Sequence, residues 1–127
     1  MSEPKIAREV AQAEVARWAE AVENPEGVTE SLVRAVMGAR LDFDEKAETF
    51  TARLKSPVAQ ENGERLETLM IIQPMAGQYR ECAKGNRDGL DTTLRLIAAV
   101  SGKALGLVER VKKADLMVLM DCLNFFG

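Results

Sequence analysis

Apolar residues near the start of the chain recur at mostly helical intervals between residues 5 and 23, which predicts a first α-helix. The apolar members of this pattern are Ile6, Val10, Val15, Trp18 and Val22. The segment is rich in Ala and Glu, which favour helix. Its apolar stripe is thin, so we expect the helix to lie on a surface or against a partner. The turn residues at 24–27 end it.

A second helix is predicted from its two ends. Thr29 is a good N-cap residue, and Glu30 is favourably placed at the positive end of the helix. Gly38 is expected to end the helix. The apolar stripe between these ends consists of Leu32, Val33, Val36 and Met37.

The pattern changes near residue 49 to one that predicts strands. Apolar and polar residues alternate over 50–55, and we expect Ser56-Pro57 to stop this strand. Asn62-Gly63 is a turn signal, and the apolar residues of 66–72 form the partner strand of a hairpin. Because a lone hairpin is marginal in water, helices or a second chain must cover it.

The remainder of the chain predicts helices over 75–84, 88–101, 104–111 and 114–125. Asp88 is expected to cap the second of these helices, and Gly102 is expected to end it. The fold class is therefore α+β and mainly α, a helical bundle with one central β-hairpin. Residues 1–48 form an N-terminal helical arm, and residues 49–127 form the hairpin and the C-terminal helices, within one compact domain overall.

The last helix carries apolar residues almost all the way round. A helix of this kind lies in the centre of a core or is shared with another chain. Because its two phenylalanines stand where chains fray, we expect the helix to contact a partner. Its methionines fit this role, since flexible thioethers adapt to varied apolar surfaces. The predicted partner-binding residues are Leu116, Met117, Leu119, Met120, Leu123, Phe125 and Phe126.

The composition of the chain argues against some classes of partner. The chain of 127 residues is 46% hydrophobic and 29% charged, as in globular proteins. The charge balance is −5 over residues 1–48 and +2 over 49–127, without the dense basic patch that nucleic acid requires. The longest apolar run, 116–120, is far shorter than the ~20 residues of a membrane span. With no signal-peptide core at the N-terminus, we expect a cytoplasmic protein.

The sequence contains few residues that could carry out a reaction or bind a metal. The chain has no histidine, so Ser-His-Asp, Cys-His and Cys/His metal arrangements are impossible. We expect Cys82 and Cys122 to be buried reduced thiols, although a disulfide is possible. The acidic stretch 42–45 predicts a solvated linker, with a divalent-cation site as the alternative. The glycines of 85–89 predict a turn, since the phosphate-loop ending is missing. We therefore expect no enzyme, cofactor or metal, although an enzyme using carboxylates and Lys is an alternative.

Several short motifs from residue 50 onward appear in an order that we recognise. An alternating strand, a polar Gly turn and Leu66-Glu67-Thr68-Leu69 lead to Gln73-Pro74-Met75-Ala76-Gly77. Val108-Glu109-Arg110-Val111 precedes Ala114-Asp115-Leu116, and the chain closes on Asn124-Phe125-Phe126. This order resembles the small tail assembly chaperones of Mu-like and related contractile-tailed phages. Gln78 stands where that family often has Asp, and Lys112-Lys113 where Asp-Pro is usual.

The resemblance implies a chaperone for the tape-measure protein, the long helical protein around which the tail tube polymerises. The chaperone would cover the apolar stripe of that protein until tail tube subunits displace it. The resemblance also implies the cytoplasm of a bacterial host and a homo-oligomer without nucleic acid or membrane partners. The alternative is a helical structural or regulatory subunit of a phage or prophage particle, bound permanently to its partner.

Overall fold

The computed structural model describes residues 5–85 and 88–126, and within them the chain forms six α-helices and one three-stranded antiparallel sheet. The predicted fold class is confirmed. The helices are α1 (Arg8–Ala21), α2 (Glu30–Met37), α3 (Ala76–Ala83), α4 (Gly89–Ser101), α5 (Leu105–Val108) and α6 (Lys113–Asn124). The strands are β1 (Leu41–Asp44), β2 (Thr49–Ala59) and β3 (Arg65–Ile72), and a 3-10 turn occupies Pro25–Gly27.

The predicted helix ends are confirmed where a cap was named. The Thr29 hydroxyl accepts a hydrogen bond from the Leu32 amide at 3.3 Å, and the Asp88 carboxylate accepts one from the Asp91 amide at 2.7 Å. Each side chain satisfies an amide that the first turn of its helix leaves without a partner. Gly102 ends α4 in the left-handed conformation with φ of 68°, which glycine adopts without steric cost.

The predicted hairpin is β2 and β3, but the sheet has a third strand that the prediction missed. β1 pairs with β2 in antiparallel register, so that Phe43 lies opposite Phe50. The pairing crosses the predicted boundary at residue 48, so the description of residues 1–48 as a helical arm is wrong for β1. The stop at Ser56-Pro57 is also wrong. β2 runs on to Ala59 through an irregularity in its register between Arg53 and Val58.

The sheet buries one side and leaves the other partly open. The inward residues come in facing pairs across the strands, and they include Leu41, Phe43, Phe50, Ala52, Leu69 and Ile71. α6 packs against β2 and β3, and α4 packs against β3. Helices of the same chain therefore cover the hairpin.

The centre of the core is a cluster of five aromatic side chains. Its members are Trp18, Phe43, Phe50, Phe125 and Phe126. The rings of Phe50 and Phe125 meet edge to face, with centroids 4.9 Å apart and planes at 85°, an arrangement that aromatic quadrupoles favour. α1 supplies Trp18 to this cluster and packs on the core of its own chain through Ala11, Val15, Trp18 and Ala19.

Candidate functional site

The last helix does not present the apolar surface that the sequence predicts. Leu119 and Phe125 are 0% and 1% exposed inside the chain's own core, so their assignment as partner-binding residues is wrong. The cause is the aromatic cluster, in which Phe43 of β1 and Phe50 of β2 surround the Phe125 ring instead of solvent. Met117 is the exception, since 45% of it is exposed. The other four predicted residues are half-buried: Leu116, Met120, Leu123 and Phe126.

Two of these half-buried residues line an open groove of about 550 Å³. The C-terminal end of α6 and the residues after it contribute Leu123 and Phe126 to the groove, and α4 contributes Leu96. The opposite wall is the segment from Gln73 to Ala76 together with Tyr79. We call this surface the uncharged groove; Gly89, Thr92, Thr93 and Asn124 complete its lining, and polar atoms make up about half of its surface. None of the lining residues carries a formal charge, so a guest with apolar and uncharged polar groups could enter without desolvating an ion.

The most exposed apolar side chains of the groove stand on and just before α3. β3 ends at Ile72, Pro74 lies two residues further on, and α3 begins two residues after Pro74. Gln78 accepts a hydrogen bond from the Met75 amide at 2.9 Å, which caps the helix as an acidic residue would. Met75 and Tyr79 are one helical turn apart and are 74% and 59% exposed. Their side chains therefore lie on the same side of α3.

The floor of the groove is held in place by the N-terminal part of the chain. The Asn24 side-chain amide donates a hydrogen bond to the Phe125 carbonyl at 2.8 Å. One turn earlier in α6, the Thr29 hydroxyl donates to the Asp121 carboxylate at 2.9 Å. These bonds fix the last turn of α6, so Leu123 and Phe126 have a defined place in the groove.

The start of α6 is fixed by a buried carboxylate. Asp115 is 3% exposed, and its two oxygens accept hydrogen bonds from the amides of Lys55 and Ser56, each at 2.9 Å. These amides lie in the irregular part of β2, where the register with β3 shifts and strand amides lose their usual partners. The guanidinium of Arg40 lies 4.0 Å from the same carboxylate. Asp115 therefore joins α6 to β2, which is a structural role.

The other predicted candidates for chemistry hold the fold together. The acidic stretch 42–45 is β1 and its turn rather than a linker, since Asp42 pairs with Arg53 at 2.8 Å and Asp44 accepts from the amides of Lys46 and Ala47. Residues 5–85 and 88–126 contain no group of three acidic or cysteine side chains arranged to hold a metal ion. Of the predicted turn at 85–89, residues 86 and 87 lie outside the described residues.

Cys82 and Cys122 are buried thiols outside any disulfide bond, as predicted. Burial raises the pKa of the Cys122 thiol far above its ordinary value, and the neighbouring Asp121 carboxylate raises it further. A thiol in this state is a poor nucleophile, because the thiolate is the reactive form.

Comparison with family models finds no match to this chain, and no curated protein or solved structure matches it significantly. Among the described helices, none is both long and apolar enough to cross a lipid bilayer.

The groove is the feature that sequence patterns left unassigned. The sequence predicts the helix at 75–84, but one pair of large apolar residues is too few to form a periodic pattern that would mark a binding face. The available signal was the spacing of Met75 and Tyr79, two large apolar residues one turn apart after a proline that ends a strand.

Proposed function

We propose that this protein is a phage tail assembly chaperone that binds the tape-measure protein in the uncharged groove. Its task would be to keep that protein soluble until the tail tube polymerises. The supporting observation is that two separate stretches of the family pattern line the same groove. Residues 73–76 form one wall, while Asn124 and Phe126 from the chain end lie across from them.

The chemistry of the groove suits an amphipathic helical guest. Its apolar side chains would cover part of the apolar stripe of such a helix, through which an unassembled helical protein aggregates, and its uncharged polar groups would meet the polar edge of that stripe. Met75 adds a flexible side chain that adapts to different guest residues. Tyr79 offers a large apolar ring with a hydroxyl that stays in contact with water at the rim.

Release is part of the proposed function, since a chaperone must yield its client to the tail tube subunits. The groove is open, and the wall formed by α3 and the residues before it carries Met75 and Tyr79, each of which is more than half exposed. Such a surface buries moderate area on binding and can be displaced by a competing partner. No catalysis, cofactor or metal is needed for this cycle, which would take place in the host cytoplasm.

A direct test is co-expression with a fragment of the tape-measure protein of the same phage. Wild-type protein should keep the fragment soluble and elute with it. Met75→Asp should abolish both effects, because it places a carboxylate at the groove wall. Met117→Asp is the matched control, since it changes an exposed methionine of α6 that does not line the groove.

Each outcome of this test is decisive. If Met117→Asp loses the fragment and Met75→Asp retains it, the groove is the wrong site and the exposed side of α6 is the right one. If the wild-type protein neither solubilises nor binds the fragment, the chaperone function is wrong. A protein that stays in purified mature particles would instead be a permanent structural subunit.

A further inference from the structure

Two neighbouring threonines of α4 line the uncharged groove, but their hydroxyl groups are used differently. The Thr93 hydroxyl donates a hydrogen bond to the Gly89 carbonyl at 2.8 Å, which is the usual bond of a helical threonine to the preceding turn. The Thr92 hydroxyl makes no such bond, and it has no hydrogen-bond partner among residues 5–85 and 88–126. Thr92 therefore has hydrogen-bonding capacity that the fold does not use.

Thr92 lies at the bottom of the groove. It is 8% exposed, and Leu96, one turn later on the same side of α4, is 6% exposed; these are the two most buried residues of the lining. The side chains of Gln73, Tyr79 and Asn124, which are also polar, are exposed to water. Water satisfies an exposed polar group, whereas a buried hydroxyl depends on the few groups that can reach it.

The Thr92 hydroxyl opens into the groove. In the part of the chain that the structure describes, every fully buried side-chain nitrogen or oxygen atom has a hydrogen-bond partner. A hydroxyl without a partner must therefore keep some contact with open space, and the open space that Thr92 borders is the groove. A guest that fills the groove removes this contact, so the hydroxyl then needs a partner on the guest.

We propose that Thr92 determines which helices the groove accepts, because its hydroxyl hydrogen-bonds an uncharged polar side chain within the apolar stripe of the guest. This inference rests on the proposed function, in which the guest is the tape-measure protein. A hydroxyl or amide side chain fits, since a threonine hydroxyl can both donate and accept. An ionised side chain does not fit, because the lining has no charge to compensate it.

The same bond discriminates against other apolar helices. A guest with a wholly apolar stripe would bury the Thr92 hydroxyl without a partner, and a site built to bond a polar group rejects a ligand that lacks one. The uncharged groove would therefore bind amphipathic helices with a polar residue in the stripe more tightly than helices with a continuous apolar stripe.

The experiment measures how the wild type and three variants bind two labelled peptides. The first peptide is a segment of the tape-measure protein with one Asn, Gln, Ser or Thr in its apolar stripe, and the second has Leu at that position. Thr92→Val removes the hydroxyl but keeps a β-branched side chain, and Thr92→Ser keeps the hydroxyl. Thr93→Val is the matched control, since it makes the same change at the next residue, where the hydroxyl is already bonded. Fluorescence anisotropy gives each Kd.

The expected result is a preference that depends on the Thr92 hydroxyl. The wild type should bind the first peptide about tenfold more tightly than the Leu peptide, because one hydrogen bond replaces an unpaired buried hydroxyl. Thr92→Val should lose this preference and bind the Leu peptide at least as tightly as the first one. Thr92→Ser should keep the preference, and Thr93→Val should change both affinities by the same factor.

Urea unfolding without peptide separates recognition from a structural role. Since the Thr92 hydroxyl has no partner in the free protein, Thr92→Val should leave the free energy of unfolding unchanged or raise it. Thr93→Val should lower it, because this variant loses the bond to the Gly89 carbonyl. A clear loss of stability in Thr92→Val would mean that the hydroxyl stabilises the fold, and this would overturn the proposal.

Two binding results would overturn it as well. Equal affinity of the wild type for the two peptides would mean that the hydroxyl does not select guests. A preference that survives in Thr92→Val would mean that another group bonds the polar residue. In both cases the wild type still binds, so the chaperone function stands, whereas a wild-type protein that binds neither peptide would contradict the chaperone function and this inference together.

Discussion

Gly27 lies directly against the ring of Phe125. A β-carbon built on Gly27 would be 2.9 Å from Phe125 Cδ2 and 3.1 Å from Cε2, closer than carbon atoms approach without displacement. Gly27 is buried, in the 3-10 turn between α1 and α2. The absence of a side chain there lets the chain end enter the aromatic cluster.

Gly27→Ala should therefore destabilise the protein. The added methyl group must push the Phe125 ring out of a packed core, and overpacking of this kind costs about 1–3 kcal/mol. Urea unfolding measures the change in the free energy of unfolding. Gly77→Ala is the control, because a β-carbon at Gly77 in α3 has no neighbour within 4 Å and should leave stability unchanged or raise it by up to about 1 kcal/mol. Equal effects of the two substitutions would contradict the packing of Phe125 on Gly27.

Substitutions of Phe125 and Met117 should differ in their effect on the free energy of unfolding, although both residues belong to the apolar chain end. Phe125→Ala removes a ring that is 1% exposed and should cost about 3–5 kcal/mol through the cavity it leaves. Met117→Ala changes a side chain that is 45% exposed and should cost about 0.5 kcal/mol or less. The comparison is made by urea unfolding. If Phe125→Ala lowers the free energy of unfolding only slightly, the prediction that a partner covers the chain end would be correct instead.

Asp115→Ala should lower the free energy of unfolding more than most substitutions of polar residues in this protein. It removes the acceptor for the Lys55 and Ser56 amides and leaves two part-buried donors without that acceptor, which costs about 2–3 kcal/mol. Asp121→Ala is the matched control in the same helix, since it removes one half-buried bond to the Thr29 hydroxyl at about 1 kcal/mol. Chemical denaturation of both variants tests the difference, and a cost at Asp115 no greater than at Asp121 would mean that β2 does not depend on its anchor.

The parts of the fold that sequence predicts are those set by local signals. Thr29, Asp88 and Gly102 act within one turn of their own helix, so their identity is enough to place an element boundary. The hairpin turn at Asn62-Gly63 is equally local, with Gly63 at φ of 85°. Such signals need no knowledge of what packs on the element.

The missed features depend on contacts between distant segments. β1 has only four residues, and its outward positions are Asp42 and Asp44, so its pattern alone is typical of a solvated loop. Pairing of Phe43 with Phe50 makes it a strand. Periodicity likewise identifies α6 as apolar all round, but it carries no information on whether Phe43 and Phe50 or a second chain cover Phe125. The uncharged groove exists because residues 73–79 and the chain end meet, which no local pattern records.

The buried thiol of Cys122 should make stability fall in alkaline solution. Burial raises the pKa of this thiol in the folded protein far above the unfolded value of about 8.5. Above that pH the unfolded chain releases the proton and the folded protein keeps it, so the free energy of unfolding falls by about 1.4 kcal/mol per pH unit from this group. Urea unfolding between about pH 8 and pH 10 measures the slope. Cys122→Ala lowers stability at every pH but removes this contribution, so its slope should be shallower, and equal slopes would mean that the thiol titrates normally in the folded protein.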